Sequence, residues 1–405
     1  MHPTAPRRLP VTVVTGFLGA GKTTLLRHLL RHSGQRLAVL VNEFGEVGID
    51  GDLLRSCGFC PEEELAGRLV ELPNGCLCCT VQDDFIPTME RLLERAEFLD
   101  GIVVETSGLA LPEPLIAAFG WPGIRSRTRV DGVVTVVDGE ALAAGAVMAD
   151  PAALEQQRLA DLSLDHSVAI EELFADQLQA ADLVVVSRAD RIDAQGLERV
   201  RRRLTGVVRP GTPLLPVARG ALDPAVALGI AAGGVAGRPS RPGPERPVGG
   251  GAGHGAHPGP GTHHDQGRHV HRGHEGELDS SHDGHRSHGP EHSHGPEHSH
   301  GPGRGHDHVH LPIEAMAVRL FGAVARDELE GTLPALIRQH ALVRVKGRAW
   351  LPGKALPLQI QAAGPRLECW FEGRTGAEEP GLELVLLGFR LDRERIGAQL
   401  AALAT

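Results

Sequence analysis

Gly16-Phe17-Leu18-Gly19-Ala20-Gly21-Lys22-Thr23-Thr24 decides how this chain is read. The stretch fits G-x-x-x-x-G-K-[ST] in full and stands between an apolar run, Pro10–Thr15, and a helical pattern, Thr23–Arg31. A strand feeding a glycine-rich turn that opens a helix is the context the motif requires. Gly16, Gly19 and Gly21 let the backbone wrap closely, so that N–H groups turn toward phosphate oxygens and the helix N-terminus adds its positive end. Lys22 is expected to neutralise the β- and γ-phosphates as a compact point charge. Thr23 is expected to hold Mg2+ through its hydroxyl, with Thr24 next to it in the first helical turn. The scarcity of lysine supports this reading independently. Of 41 lysines and arginines, only Lys22, Lys346 and Lys354 are lysine. A chain that uses arginine nearly everywhere keeps lysine chiefly where arginine fails. The plain alternative is a glycine-rich turn that binds nothing, and it leaves the strand, the helix and the lysine unexplained together.

Outward from this loop, strand-like runs alternate with helical patterns as far as about Leu228. The expected strands are Pro10–Thr15, Leu37–Val41, Leu69–Leu72, Gly101–Glu105, Gly132–Val137, Asp182–Ser187 and Pro213–Val217. The expected helices include Thr23–Arg31, Phe85–Glu97, Leu173–Gln179 and Leu197–Leu204. Near-continuous Val/Ile/Leu strands separated by amphipathic helices read as an α/β fold, a P-loop NTPase parallel sheet with helices on both faces. Residues 1–232 form this expected domain. Residues 233–310 change in kind: Gly, Pro, His, Ser and Arg dominate, and Gly-Pro-Glu-His-Ser-His occurs twice in tandem from Gly289 to His300. Seventeen of the 22 histidines fall between His254 and His310. So little apolar surface cannot offset the ordering entropy, which predicts a disordered linker. From 311 to 405 the periodicity returns, with strands at Ala315–Leu320, Leu342–Gly347, Leu356–Ala362, Leu367–Phe371 and Leu382–Leu387. Helices at Asp327–His340 and Asp392–Ala402 complete a small α+β domain.

The 405 residues suffice for two or three domains, and 41% hydrophobic with 23% charged residues describes a soluble globular protein. No apolar run is long enough for a transmembrane helix, and the first residues lack a signal-peptide pattern, so a cytoplasmic location with no membrane partner is expected. A net charge of −10 gives no support to nucleic-acid binding. Tyrosine is absent and aromatics total 3%, so the core must be aliphatic.

A bound magnesium needs an acid beside it. Glu105 ends the run Ile102-Val103-Val104-Glu105-Thr106-Ser107-Gly108, at a strand C-terminus with a glycine three residues on. Glu105 is therefore the expected metal-side acid, and the Gly108 backbone the expected γ-phosphate contact. Asn42–Asp50 follows another strand as a switch-like loop, in which Glu43 or Asp50 could reach magnesium or water. Each of these acids also has the plainer reading of a cap on a following turn. Guanine-specific P-loop proteins carry Asn-Lys-x-Asp after a strand; here the place reads Ser187-Arg188-Ala189-Asp190. Asp190 keeps the carboxylate that accepts from guanine, and Arg188 can stack as lysine would. Ser187 is the departure, a hydroxyl in place of a longer amide.

Five of the six cysteines fall between Cys57 and Cys79. Cys76-Leu77-Cys78-Cys79 packs three thiols into four positions, and thiolates are ligands for Zn2+, Co2+, Ni2+ or Cu+. Three small buried hydrophobes is the competing reading. Cys57 and Cys60 form a second pair that could complete a structural site, act in redox chemistry or simply pack.

Gly16–Thr24, Asn42–Asp50, Gly75–Thr80 and Glu105–Gly108 together resemble the CobW family of metal-handling P-loop GTPases, relatives of the nickel-accessory GTPases for urease and hydrogenase. Glu105–Leu115, Val130–Asp138 and Glu171–Leu178 extend the resemblance, which reaches the C-terminal region more weakly. It implies a GTP-hydrolysing metallochaperone. In that implication Lys22, Glu43 and Glu105 serve catalysis, Thr23, Asp50 and Glu105 hold Mg2+, and Cys76, Cys78 and Cys79 carry the delivered metal. The implied client is cobaltochelatase, receiving Co2+ for cobalamin biosynthesis. A zinc chaperone of the same family is the alternative, and a metal-storage protein with a vestigial P-loop is another. A homodimer is one assembly the chain could form. The histidine tract, His292, His294, His298 and His300 among it, is expected to act as a weak metal antenna.

Overall fold

A computed structural model describes residues 7–41, 69–71, 85–150, 152, 170–229, 313–373 and 380–403. The Val-rich runs of the first part become seven parallel strands, β1 (Leu9–Thr15), β2 (Leu37–Val41), β3 (Leu69–Glu71), β4 (Gly101–Glu105), β5 (Thr128–Asp138), β6 (Leu183–Ser187) and β7 (Leu214–Pro216). Their order across the sheet is β3-β2-β4-β1-β5-β6-β7. The first helices are α1 (Lys22–His32), α2 (Ile86–Glu94), α3 (Pro112–Ala118), α4 (Pro122–Arg125) and α5 (Gly139–Ala143), followed by α6 (Ile170–Ala180), α7 (Ala194–Thr205) and α8 (Pro224–Ala227). Both faces of the sheet are covered. Val14, Val103 and Val134 pack with Leu25, Leu26 and Leu29 of α1. Val11 and Val13 point to the other side, among Phe85, Met89 and Leu92 of the α2 segment. Side chains that alternate between two cores explain why these strands read as continuous apolar runs.

The expected strands fall in place with ends that differ by at most four residues, and Leu37–Val41 and Gly101–Glu105 match at both ends. The expected helix Phe85–Glu97 does not run through. α2 stops at Glu94, because Arg95 leaves helical geometry (φ −98°, ψ 11°) and its N–H bonds back to Leu92 O at 3.1 Å. A separate 3-10 turn follows at Ala96–Phe98. The short helices α3, α4 and α8, for which the hydrophobic pattern gave no sign, each begin on a proline, Pro112, Pro122 and Pro224. Proline suits the first helical position, where its missing N–H costs nothing. Among the described residues no helix is long and apolar enough to cross a membrane.

The C-terminal part holds β8 (Ile313–Phe321), α9 (Arg326–Gln339), β9 (Leu342–Trp350), β10 (Leu358–Ala363), β11 (Arg366–Phe371), β12 (Gly381–Phe389) and α10 (Arg393–Ala401). Its five strands form an antiparallel sheet of order β11-β10-β9-β12-β8. The expected strand Leu356–Ala362 is shifted to Leu358–Ala363. Leu329, Leu333, Leu336 and Ile337 of α9 fill the core on one face of this sheet with Ile396 and Leu400 of α10.

This sheet belongs to the same compact unit as the parallel one. It meets the ends where the parallel strands begin. Arg344 of β9 is buried and donates from Nη1 to Asp131 Oδ2 at 2.9 Å and Asp131 O at 3.0 Å. Its Nε donates to Val226 O at 2.6 Å, and Nη2 to Ala227 O. Asp131 also accepts from Arg129 at 2.6 Å and from Gln361 Nε2. A second carboxylate, Asp182, is fully buried between Val133 N at 2.9 Å, Arg209 at 2.5 Å and Arg366 of β11 at 2.5 Å. Arg129 lies over the Trp370 ring, 4.5 Å from its centroid. Both buried carboxylates are thus met by arginine, as buried charge requires.

Lys346 stands beside this cluster. Burial, against the attraction of Asp131 and with the repulsion of Arg129, Arg7 and Arg344, lowers its ammonium to about 8. An unfolded chain would keep that proton to about 10.5, so it binds more protons than the folded chain between these values. Stability contributed by Lys346 therefore rises as pH increases from 8 to 10.5. Lys346→Met is expected to flatten that rise relative to the wild type, as read by urea denaturation at pH 7.5, 9 and 10. An unchanged slope would remove Lys346 as its source. The Cys369 thiol works in the opposite direction, since burial pushes it up to about 12, so only the difference between the two proteins is diagnostic.

Candidate nucleotide and metal site

The motif loop lies at the opposite end of the parallel sheet, where the strands finish. β1 ends at Thr15 and the chain turns through Gly16 at φ 133°. A Cβ there would lie 2.1 Å from Val136 O, so only glycine fits this turn. Gly19 and Gly21 also take positive φ, at 71° and 104°, and Gly21 is the residue from which α1 starts. No side chain caps α1, so the first-turn N–H groups of Lys22, Thr23 and Thr24 face the loop mouth without a cap from their own helix. Lys22 is buried, and its Nζ donates to Gly16 O at 2.8 Å and Phe17 O at 3.2 Å. The ammonium is thus held against the loop's own carbonyls, within the ring of backbone that the motif forms. This arrangement is what an anion cradle needs.

Thr23 Oγ1 donates to Glu105 Oε1 at 3.4 Å, which joins the first turn of α1 to the end of β4. Glu105 is buried. A hydroxyl and a carboxylate oxygen brought together beside a phosphate cradle form a hard-oxygen donor set that fits Mg2+. The loop after β4 is tied down closely. Thr106 N–H donates to Val14 O at 3.0 Å and Thr106 Oγ1 to Thr15 Oγ1 at 2.9 Å. Gly108 presses against the motif loop: a Cβ on it would sit 2.6 Å from Leu18 N. The expected γ-phosphate-side backbone and the phosphate loop are therefore in van der Waals contact.

On the base side, Ser187 ends β6 beside Gly21, at 3.5 Å from where a Gly21 Cβ would be. Its buried Oγ has no hydrogen-bond partner. Arg188 adopts φ 52°, and its guanidinium donates to Gly19 O at 2.9 Å and to Asp138 Oδ2. The arginine head is thus anchored on the motif loop. Asp138 was not anticipated. Its other oxygen caps α5 through Glu140 N and Ala141 N at 3.1 and 3.2 Å, so one carboxylate ties the end of β5, α5 and Arg188 together. Asp190 is half-buried and lies 4.0 Å from Arg219, on the loop after β7. That loop was not anticipated either. It closes on α1 so tightly that a Cβ on Gly220 would lie 2.8 Å from Thr24 O.

Gly16, Gly19, Gly21, Lys22, Thr23, Thr24, Glu105, Gly108, Ser187, Arg188 and Asp190 thus gather at one end of the sheet. Glu43, Asp50, Cys57, Cys60, Cys76, Cys78, Cys79, His292, His294, His298 and His300 lie outside the described residues. Among the described residues no group of three or more His, Cys, Asp or Glu stands where it could hold a metal ion.

Comparison with known proteins agrees with this geometry. Residues 10–216 match the family described as CobW/HypB/UreG, nucleotide-binding domain. Residues 313–404 match the cobalamin synthesis protein cobW C-terminal domain. A protein named zinc chaperone CobW from Pseudomonas aeruginosa is 43% identical over 399 residues, covering 97% of this chain and 91% of that one. A protein of the same name from Sinorhizobium sp is 39% identical over 404 residues, covering 98% of this chain and 97% of its own. Zinc-regulated GTPase metalloprotein activator 1 of Schizosaccharomyces pombe is 35% identical over 200 residues, 48% of this chain and 43% of that protein.

Proposed function

The chain belongs to the CobW/HypB/UreG family of P-loop GTPases, and we propose on that premise that it is a GTP-dependent metallochaperone whose cargo is Zn2+. The observation that carries the nucleotide half is the Thr23–Glu105 contact at the mouth of a loop whose lysine is already drawn inward. Lys22 and the first-turn N–H groups of α1 bind the β- and γ-phosphates. Thr23 and Glu105 would hold Mg2+, with Asp50 as a further ligand, and the ion supplies neutralisation of phosphate charge. Glu43 serves the attacking water, and Gly108 contacts the γ-phosphate. Asp190 accepts from the guanine edge while the Arg188 stem covers the ring and Ser187 contributes its hydroxyl.

Cys76, Cys78 and Cys79 hold the cargo as thiolates. Zinc is preferred to cobalt on two grounds. Both relatives that match nearly end to end carry the name zinc chaperone. A thiolate site also binds Zn2+ more tightly than Co2+, so delivery of Co2+ to cobaltochelatase would need selection from elsewhere. The client is accordingly a zinc-accepting protein, and the histidine tract raises the local metal concentration around the three thiols.

Titration of the purified full chain with Zn2+ and with Co2+, in the presence of GTP-Mg2+, GDP-Mg2+ or neither, tests this reading. The Cys76→Ser/Cys78→Ser/Cys79→Ser variant supplies the background of the histidines. One cysteine-dependent zinc is expected to bind roughly tenfold more tightly with GTP than with GDP, and GTP affinity must rise by the same factor when zinc is present. Equal zinc affinity in all three nucleotide states would leave a static site with no means of delivery.

A further inference from the structure

Gln177 is a fully buried amide in the middle of α6, one helical turn beyond Phe174. Its Nε2 donates to Gly108 O and to Ala110 O, both at 3.1 Å. Both N–H donors of the amide are therefore spent on the loop after β4, on carbonyls two residues apart. Its Oε1 is buried with no hydrogen-bond partner. A residue placed only to fill space would be apolar here, since the neighbouring Phe174 and Leu178 are. An amide that leaves one oxygen unpartnered in order to give two bonds to one loop is retained for those two bonds.

The same helix face touches the phosphate loop. Phe174 stacks on Phe17 of the motif, with ring centroids 5.6 Å apart and planes 12° from parallel. Gly108 in turn lies against Leu18. Phe174 and Gln177, at i and i+3, thus grip the two loops that face the γ-phosphate from either side. The backbone of α6 is itself pinned to the sheet, since Thr135 Oγ1 donates to Gln177 O at 3.0 Å.

We propose that Gln177 is a positioning residue for GTP hydrolysis, holding the Gly108 loop in the register that distinguishes GTP from GDP. It touches no nucleotide in this assignment. The inference rests on the reading of Gly108 as the γ-phosphate-side backbone. GDP lacks the group that this loop would meet, so a loop released from Gln177 affects the diphosphate little and the triphosphate strongly.

Gln177→Met keeps length and shape while removing both donors. In steady-state turnover it is expected to lower kcat by roughly 10- to 100-fold, the size of effect that loop misplacement of about 1 Å produces. GDP affinity is expected to stay within about threefold of the wild type, so the ratio of GTP to GDP affinity falls. Gln177→Glu guards against a variant that fails to fold. Its carboxylate, deprotonated, presents only acceptors to two carbonyls, but the protonated acid restores one donor. Burial raises the pKa of such a carboxyl, so this variant is expected to regain turnover as pH is lowered from 8 to 6, where the wild type does not gain. Lost thermal stability with an unchanged kcat and an unchanged GTP:GDP ratio would make Gln177 a structural residue only. Wild-type protein that binds GTP and GDP equally and does not hydrolyse GTP would remove the reading of Gly108, and this inference with it.

Discussion

Lys22→Ala is expected to lower GTP turnover by about two to three orders of magnitude, the cost typical of removing a fixed charge aimed at developing negative charge. The lysine is buried, its ammonium lies 2.8 and 3.2 Å from two carbonyls of its own loop, and the chain offers two other lysines, Lys346 in β9 and Lys354 in the turn that follows it. No neighbouring lysine stands ready to replace it. Alanine is a good helix former at the first position of α1, so the fold is expected to survive and circular dichroism to stay unchanged. Nucleotide binding by fluorescence titration and phosphate release over hours check the two halves of the claim. Turnover within threefold of the wild type would disprove the assignment of the loop as the phosphate site.

The second large effect concerns stability. Arg344→Ala is expected to destabilise the protein by about 3–5 kcal/mol, the range found when one partner of a buried ion pair is deleted. Four hydrogen bonds go with the guanidinium, and two of their acceptors, Val226 O and Ala227 O, belong to the chain after the parallel sheet. Burial would push the Asp131 carboxyl up, but Arg344, Arg129 and the Gln361 amide outweigh it and hold it below the ordinary carboxylate range. Its contribution is therefore complete above the unfolded value near pH 4 and is lost as pH falls through the lower folded value. The deficit of Arg344→Ala relative to the wild type should accordingly be full at pH 7 and shrink below about pH 4. Urea denaturation at both pH values measures it. A loss under about 1 kcal/mol at pH 7 would mean that the pair is as replaceable as a surface one.

The nucleotide end was legible because its signals are local. Glycine spacing, a lysine in a lysine-poor chain and a strand before and a helix after all sit between Leu9 and His32. Glu105 stood out for a similar reason, since it ends an apolar run where a parallel strand delivers its last side chain, and Asp190 stood out by its spacing from Ser187 at the end of another such run. Gln177 carried a fainter mark. The face formed by Phe174, Gln177 and Leu178 is apolar except for one amide, and a polar residue on the buried stripe of a helix signals a bond made elsewhere. Which loop receives that bond depends on a residue nearly seventy positions away, and no spacing rule reaches that far. Arg344 was harder still. Between Val343 and Val345 it follows the ordinary alternation of a strand, and its partner Asp131 lies 213 positions upstream. The arginine habit that made Lys22 conspicuous hid Arg344 among its many equivalents.

β5 has Asp138 at its last position and Asp131 near its start, seven residues or about 23 Å apart along a single strand. The upper aspartate anchors Arg188 over the phosphate loop, and the lower one receives Arg344 from the antiparallel sheet. A boundary drawn where composition changes would therefore separate neighbours that complete each other's charge. A fragment ending with the parallel sheet would leave Asp131 with Arg129 and Asp182 with Arg209 as their arginine partners, and the detached C-terminal sheet would present Arg344 and Arg366 without their carboxylates. The two sheets are separate as text and a single compact unit as an object.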